Sequence, residues 1–114
     1  MIPEVLKAAA QLSEEGVEAE VIDVATLSPL DMDTILCSVA KTGRCVIVHE
    51  ACRHVGVGAE IAAGLAEQAL YDLKAPVVRV TGYDTVMPYL RNEGYFLPDV
   101  PRILEGVRQV MAVG

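Results

Sequence analysis

Two short apolar runs, held apart by a helical pattern, constrain this chain more than any other feature. Residues 45–49 (CVIVH) and 77–81 (VVRVT) carry hardly any polar interruption. Such runs mark strands covered on both faces, as in a parallel sheet, where helices take up both sides. The stretch between them, 59–71 (AEIAAGLAEQALY), reads as a helix whose small residues suit close packing. Upstream, Ile2, Val5, Leu6, Ala9 and Leu12 recur at helical spacing, which predicts a helix over 3–15 with Pro3 in its first turn and Gly16 as its stop. Residues 19–24 (AEVIDV) are strand-like. Ser28-Pro29 then breaks the chain, and Asp31 is placed to cap a helix carrying Ile35, Leu36 and Val39 that Gly43 closes. Downstream, 82–98 reads as a long irregular stretch. Asp99 caps a last helix over 100–112 with Ile103, Leu104, Val107, Val110 and Met111 inward. The order αβαβαβα predicts an α/β fold with a mostly parallel sheet between helical layers. Three strands against four helices make a thin sheet, and the chain opens directly in a helix. A strand preceding Met1 would complete the first βαβ unit.

Composition narrows the class. With 114 residues, the chain reads as a single domain over 1–114, large enough to bury roughly two thirds of its unfolded surface. It has no Trp and one Phe, so its core is aliphatic. Its apolar runs are too short to cross a bilayer, and MIPEVLKAAAQL lacks the basic start and cleavage site of a signal peptide. No membrane partner is expected. Cys37, Cys45 and Cys52 form an odd set without a CxxC spacing, which fits reduced thiols in the cytoplasm. The net charge is −7. Its excess sits early: residues 1–36 hold Lys7 against Glu4, Glu14, Glu15, Glu18, Glu20, Asp23, Asp31 and Asp33. Such a surface is a poor match for nucleic acid. It suits a basic protein partner, or simply a solvated face.

Several residues invite a chemical reading. His49 and Glu50 fall at the carboxyl end of a predicted strand, the edge where open α/β sheets take ligands. A His–Glu pair can move protons; it can equally order a loop or lie in a subunit contact. Gly56-Val57-Gly58 precedes a helix, as phosphate loops do, but position 61, where a third glycine would stand, is Ile61. Arg53 and His54 could assist an anion at that helix start or face solvent or a partner chain. Cys52 stands beside them, a setting that lowers thiol pKa values, with no further catalytic group in view. Tyr83, Tyr89, Tyr95 and Phe96 crowd into 82–96, as an interface or as a small core under a loop.

The strings VIDVATLSPLDMDTILCSVAKTGRCVIVHEA, GVGAEIAAGLAEQA, LKAPVVRVTGYDT and YFLPDVPRILEGV resemble the carboxyl-terminal domain of the β subunit of thiamine-diphosphate-dependent 2-oxo acid dehydrogenases, of pyruvate or branched-chain type. The likeness runs over nearly the whole chain. It implies a transketolase C-terminal-domain-like fold, a three-layer α/β/α sandwich that here lacks the family's upstream strands. It implies a non-catalytic assembly domain in a cytoplasmic multienzyme complex. The α subunit, a second β subunit and the acyltransferase core are its implied partners, and homo-oligomers are expected. Thiamine diphosphate and Mg²⁺ belong to the parent enzyme. No residue here matches a family cofactor ligand or catalytic base, so catalytic, cofactor and metal residues are all read as none. His49, Glu50, Arg53, His54, Tyr83, Tyr89, Tyr95 and Phe96 remain as interface candidates. The segment VMPYLRNEGYF at 86–96 departs from the commoner pyruvate-type loops and leaves the 2-oxo acid open. Two other classes remain open: a transketolase-like or deoxyxylulose-phosphate-synthase-like domain, and a stand-alone anion- or nucleotide-binding α/β module.

Overall fold

The computed structural model describes residues 1–86 and 90–113. Two parallel strands form its sheet, β1 (Val46–Cys52) and β2 (Val78–Gly82), paired Val46 to Val78, Ile47 to Arg79 and Val48 to Val80. Around them lie α1 (Ile2–Glu14), α2 (Met32–Thr42), α3 (Val57–Gln68), α4 (Leu90–Phe96) and α5 (Val100–Met111), with a 3₁₀ turn at Leu70–Asp72. The α/β fold class expected from the sequence is the one observed.

Strand alternation sorts the core into two layers. Ile47 points one way and joins Ile35 and Val39 of α2 and Ile61 and Leu65 of α3. Val46, Val48, Val78 and Val80 point the other way and meet Ala8 and Leu12 of α1 and Ile103 and Leu104 of α5. The sheet is thus sandwiched between α2/α3 and α1/α5. On the α5 side the approach is close at Gly106, where a Cβ would come within 2.8 Å of Val80 Cγ2. A helix carrying a larger residue there would have to lift off the strand.

The helix ends follow the local sequence. Val17 N–H bonds Leu12 O at 2.8 Å and Gly16 N–H bonds Ser13 O at 3.1 Å, with Gly16 at φ +88°. This is a Schellman ending, completed by Val17 and Leu12 packing in one cluster. Asp31 caps α2 by accepting from Thr34 N–H (3.2 Å) and Thr34 Oγ1 (2.6 Å), and Gly43 ends it at φ +78°. Asp99 caps α5 through Arg102 N–H at 3.0 Å.

Three expectations are corrected. Residues 19–24 are not a strand: among the described residues the sheet has two strands, and this segment has no ladder partner. Its pattern earns only a half-buried Ile22 against the α2/α3 layer. The 45–49 run is not covered throughout, because Ile47 is the one buried residue of β1; among the described residues β1 pairs with β2 alone. The stretch 82–98 is not all irregular, since α4 lies within it.

Leu65 is fully buried, so Leu65→Ala is expected to destabilise the fold by about 2–5 kcal/mol in urea titration. The Thr34 hydroxyl and N–H hold the Asp31 carboxyl below its ordinary range. A depressed folded pKa adds stability above the unfolded value near about 3.9 that is lost as pH falls through the folded one. Stability measured from pH 5 downward should therefore fall less steeply in Asp31→Asn than in the parent chain.

Candidate functional site

The carboxyl ends of β1 and β2 gather most of the residues singled out in the sequence. His49 and Glu50 lie in β1, Arg53 and His54 in the following loop, and Tyr83 just past β2. Tyr95 and Phe96 end α4, while Tyr89 lies outside the described residues.

His49 turns onto the start of α3. Its Nδ1 lies 3.1 Å from Ala51 O. A carbonyl only accepts, so Nδ1 is the donor of that bond. Among the described residues Nε2 is buried without a hydrogen-bond partner, and it sits against Gly58, where a Cβ would come within 2.5 Å. Gly58 therefore admits the imidazole, while a Cβ at Gly56 would meet Cys52 O at 2.5 Å before the ring at 2.9 Å. The helix start is filled from inside the chain rather than left open to a phosphate. Glu50 is exposed, its carboxylate 3.7 Å from the Met1 amino group, and no hydrogen bond joins it to His49 among the described residues.

The loop after β1 is tied to β2 by a set of cross-links. Arg53 Nη1 donates to Arg79 O at 3.0 Å, and Arg79 Nη1 donates back to Arg53 O at 2.9 Å. His54 N–H donates to Asp84 Oδ1 at 2.8 Å, and the Cys52 thiol reaches Thr85 O at 3.8 Å. Between these anchors Val55 takes φ +61° and is exposed.

The aromatic cluster divides. Phe96 is buried and meets the Tyr83 ring edge-on, with centroids 6.4 Å apart at 72°. Gly82 has no room for a side chain, because a Cβ would run into Glu50 O and the Phe96 ring. Tyr95 is 81% exposed and Tyr83 53%. Phe96 is thus core, and the two tyrosines are surface. Arg102 of α5 completes the corner. Its Nη2 donates to Thr81 O at 2.6 Å, and its Cζ stands 4.9 Å above the Tyr83 ring. Its Nη1 is buried with no hydrogen-bond partner; the ring face offers that cation compensation.

Arg79, Asp84 and Arg102 were missed by sequence reasoning. An arginine inside an apolar strand was the available signal for Arg79. Arg102 gave none, because a helix read for its apolar face says nothing of what its polar residues reach. The thiols do not converge: Cys37 is exposed, while burial pushes the Cys45 thiol up, away from the reactive thiolate. An open groove of about 400 Å³ lies along α2, where the Glu20–Lys41 pair holds the Glu20 carboxyl below its ordinary range. Among the described residues no three His, Cys, Asp or Glu side chains gather as a metal site, and no helix is long and apolar enough to cross a membrane.

A sheet edge built this way holds its own loops together. Residues 1–103 match the profile of the transketolase C-terminal domain, and the chain belongs to that family. It is 46% identical over 111 residues to the "Pyruvate dehydrogenase E1 component subunit beta" of Staphylococcus epidermidis and 45% identical to that of Bacillus subtilis. Each match covers 97% of this chain and 34% of the relative, so the chain spans about a third of their length. A solved structure, "Split gene transketolase, inactive beta4 tetramer", superposes with a TM-score of 0.82 at 27% identity, over 97% of this chain and 35% of that one.

Gly58→Ala should destabilise the fold by about 1–3 kcal/mol through overpacking against His49. Adding His49→Ala should recover part of that loss, so a double-mutant cycle by chemical denaturation should show coupling between the two positions.

Proposed function

We propose that this chain is the carboxyl-terminal assembly domain of the β subunit of a pyruvate-dehydrogenase-type 2-oxo acid dehydrogenase. The observation that carries the reading is likeness to β subunits at 44–46% identity over 97% of the chain. The role is to hold subunits together: the α subunit, a second β subunit and, in the full complex, the acyltransferase core. The exposed Tyr83 and Tyr95, with Val55, form the surface offered to a neighbour. Glu50, Arg53 and His54 are exposed beside that surface, and His49 and Phe96 support it from behind.

Thiamine diphosphate and Mg²⁺ would serve the parent enzyme. The described residues do not fit either group. They gather no acidic or histidine cluster for the metal, and the donors at the sheet edge are engaged with the chain's own carbonyls and rings. No catalytic step is assigned to this chain.

The reading is favoured over a stand-alone anion- or nucleotide-binding module by the imidazole that occupies the α3 start. It is favoured over a transketolase-like domain by 46% against 27% identity. Self-association belongs to the same reading, with the exposed Tyr83 and Tyr95 as its contact surface. The superposed transketolase structure, a beta4 tetramer, supports a partner that is another copy of the chain. Calorimetric titration of the chain with thiamine diphosphate and Mg²⁺ should give no binding heat, and sedimentation should show dimers forming as concentration rises. Tight cofactor binding would overturn the assembly role. A monomer at every concentration would remove the self-association.

A further inference from the structure

We propose that Val55 anchors the contact between two copies of this chain, held in a strained backbone position so that its side chain stands out toward the neighbour. The inference rests on the self-association proposed above and deepens it by naming the residue that carries it.

The backbone is the first observation. Val55 sits at φ +61°. A β-branched side chain is an outlier in that left-handed region, where glycine or asparagine is accepted far more readily. The glycine of the same turn stands one residue later. Gly56 lies at φ −75° and ψ 163°, an extended conformation open to any residue, and it is needed there for space beside Cys52 O. The turn thus gives its left-handed position to valine.

Such strain persists only where the surroundings over-determine it, and here they do so from both sides. Ahead of Val55, His54 N–H donates to Asp84 Oδ1 at 2.8 Å and Arg53 O accepts from Arg79 Nη1 at 2.9 Å. Behind it, Ala59 N–H bonds Gly56 O at 2.9 Å as α3 begins. Every group that fixes the loop belongs to the ends of β1 and β2 and to the segments that follow them.

The side chain gives the fold nothing in return. Val55 is 88% exposed, and among the described residues it joins neither buried layer. A single apolar residue on a surface is ordinary. One that strains the backbone without being buried marks a functional position.

The surroundings of the tip identify what it meets. The bond to Asp84 brings Val55 beside Tyr83, which is half exposed. Exposed charges of both signs flank this apolar centre, Arg53 and His54 on one hand, Glu50 and Asp84 on the other. A patch with an apolar centre and both signs of charge complements itself when turned about a two-fold axis, so that Arg53 of one copy faces a carboxylate of the other. The occupant is therefore a second copy of this chain.

The test compares the 114-residue chain with Val55→Asn and Val55→Leu. Asparagine accepts the left-handed backbone and removes the apolar tip. Leucine keeps an apolar tip without the branch at Cβ. Urea titration of the dilute monomer reads the strain, and sedimentation reads association. Val55→Asn should unfold at a urea concentration no lower than the parent's and should need roughly tenfold more protein to dimerise. Val55→Leu should dimerise as the parent does. A Val55→Asn chain that dimerises like the parent would overturn the proposal while leaving self-association standing. So would a lower urea midpoint in Val55→Asn, because the valine would then serve the fold. A parent chain that stays monomeric at every concentration would overturn the self-association reading itself, and this inference with it.

Discussion

One ladder of two short parallel strands sets the terms for everything else in this chain. Parallel strands are stable only when both faces are covered, and two strands bring few hydrogen bonds of their own. The stability has to come from the layers pressed onto them. Ile47 anchors α2 and α3 on one face, and the four valines of the two strands anchor α1 and α5 on the other. Gly106 lets α5 come down onto Val80. The carboxyl edge inherits this geometry, because the loops after β1 and β2 emerge side by side and have to be satisfied against one another.

They are satisfied by arginine and histidine in structural roles. Arg53 and Arg79 exchange bonds to each other's carbonyls, Arg102 serves Thr81 and Tyr83, and His49 seals the start of α3. Side chains that could have been chemical are spent on the backbone and on rings. This is why an edge that binds ligands in other open α/β sheets reads here as scaffolding. Tyr83, Tyr95 and Val55 stay exposed beside it, and they are the surface proposed to meet a partner.

Much of the fold was legible because its signals are local. Helix spacing, the caps at Asp31 and Asp99 and the stops at Gly16 and Gly43 each act within a few residues. The segment 19–24 misled because alternation states only which face a strand would bury, and a strand also needs a neighbour. The short helix α4 was hidden by a glycine and two aromatics. At the site, the glycines at 56 and 58 invite a phosphate-loop reading that Ile61 already weakens, and spacing alone does not say what they pack against. The imidazole that they accommodate lies seven and nine residues away, across a turn that no spacing rule describes. Arg102 reaches Thr81 across 21 residues, a pairing that only the packed structure fixes.

The central claim is that this domain contributes contacts rather than chemistry. Native mass spectrometry of an intact β subunit with its α subunit, with and without this domain, tests it most directly. The account predicts that deleting the domain dissolves the assembly into smaller species, while Glu50→Gln and His54→Ala in the full-length subunit leave the activity of the assembled enzyme unchanged. A deletion that leaves the assembly whole and abolishes only the reaction would contradict it.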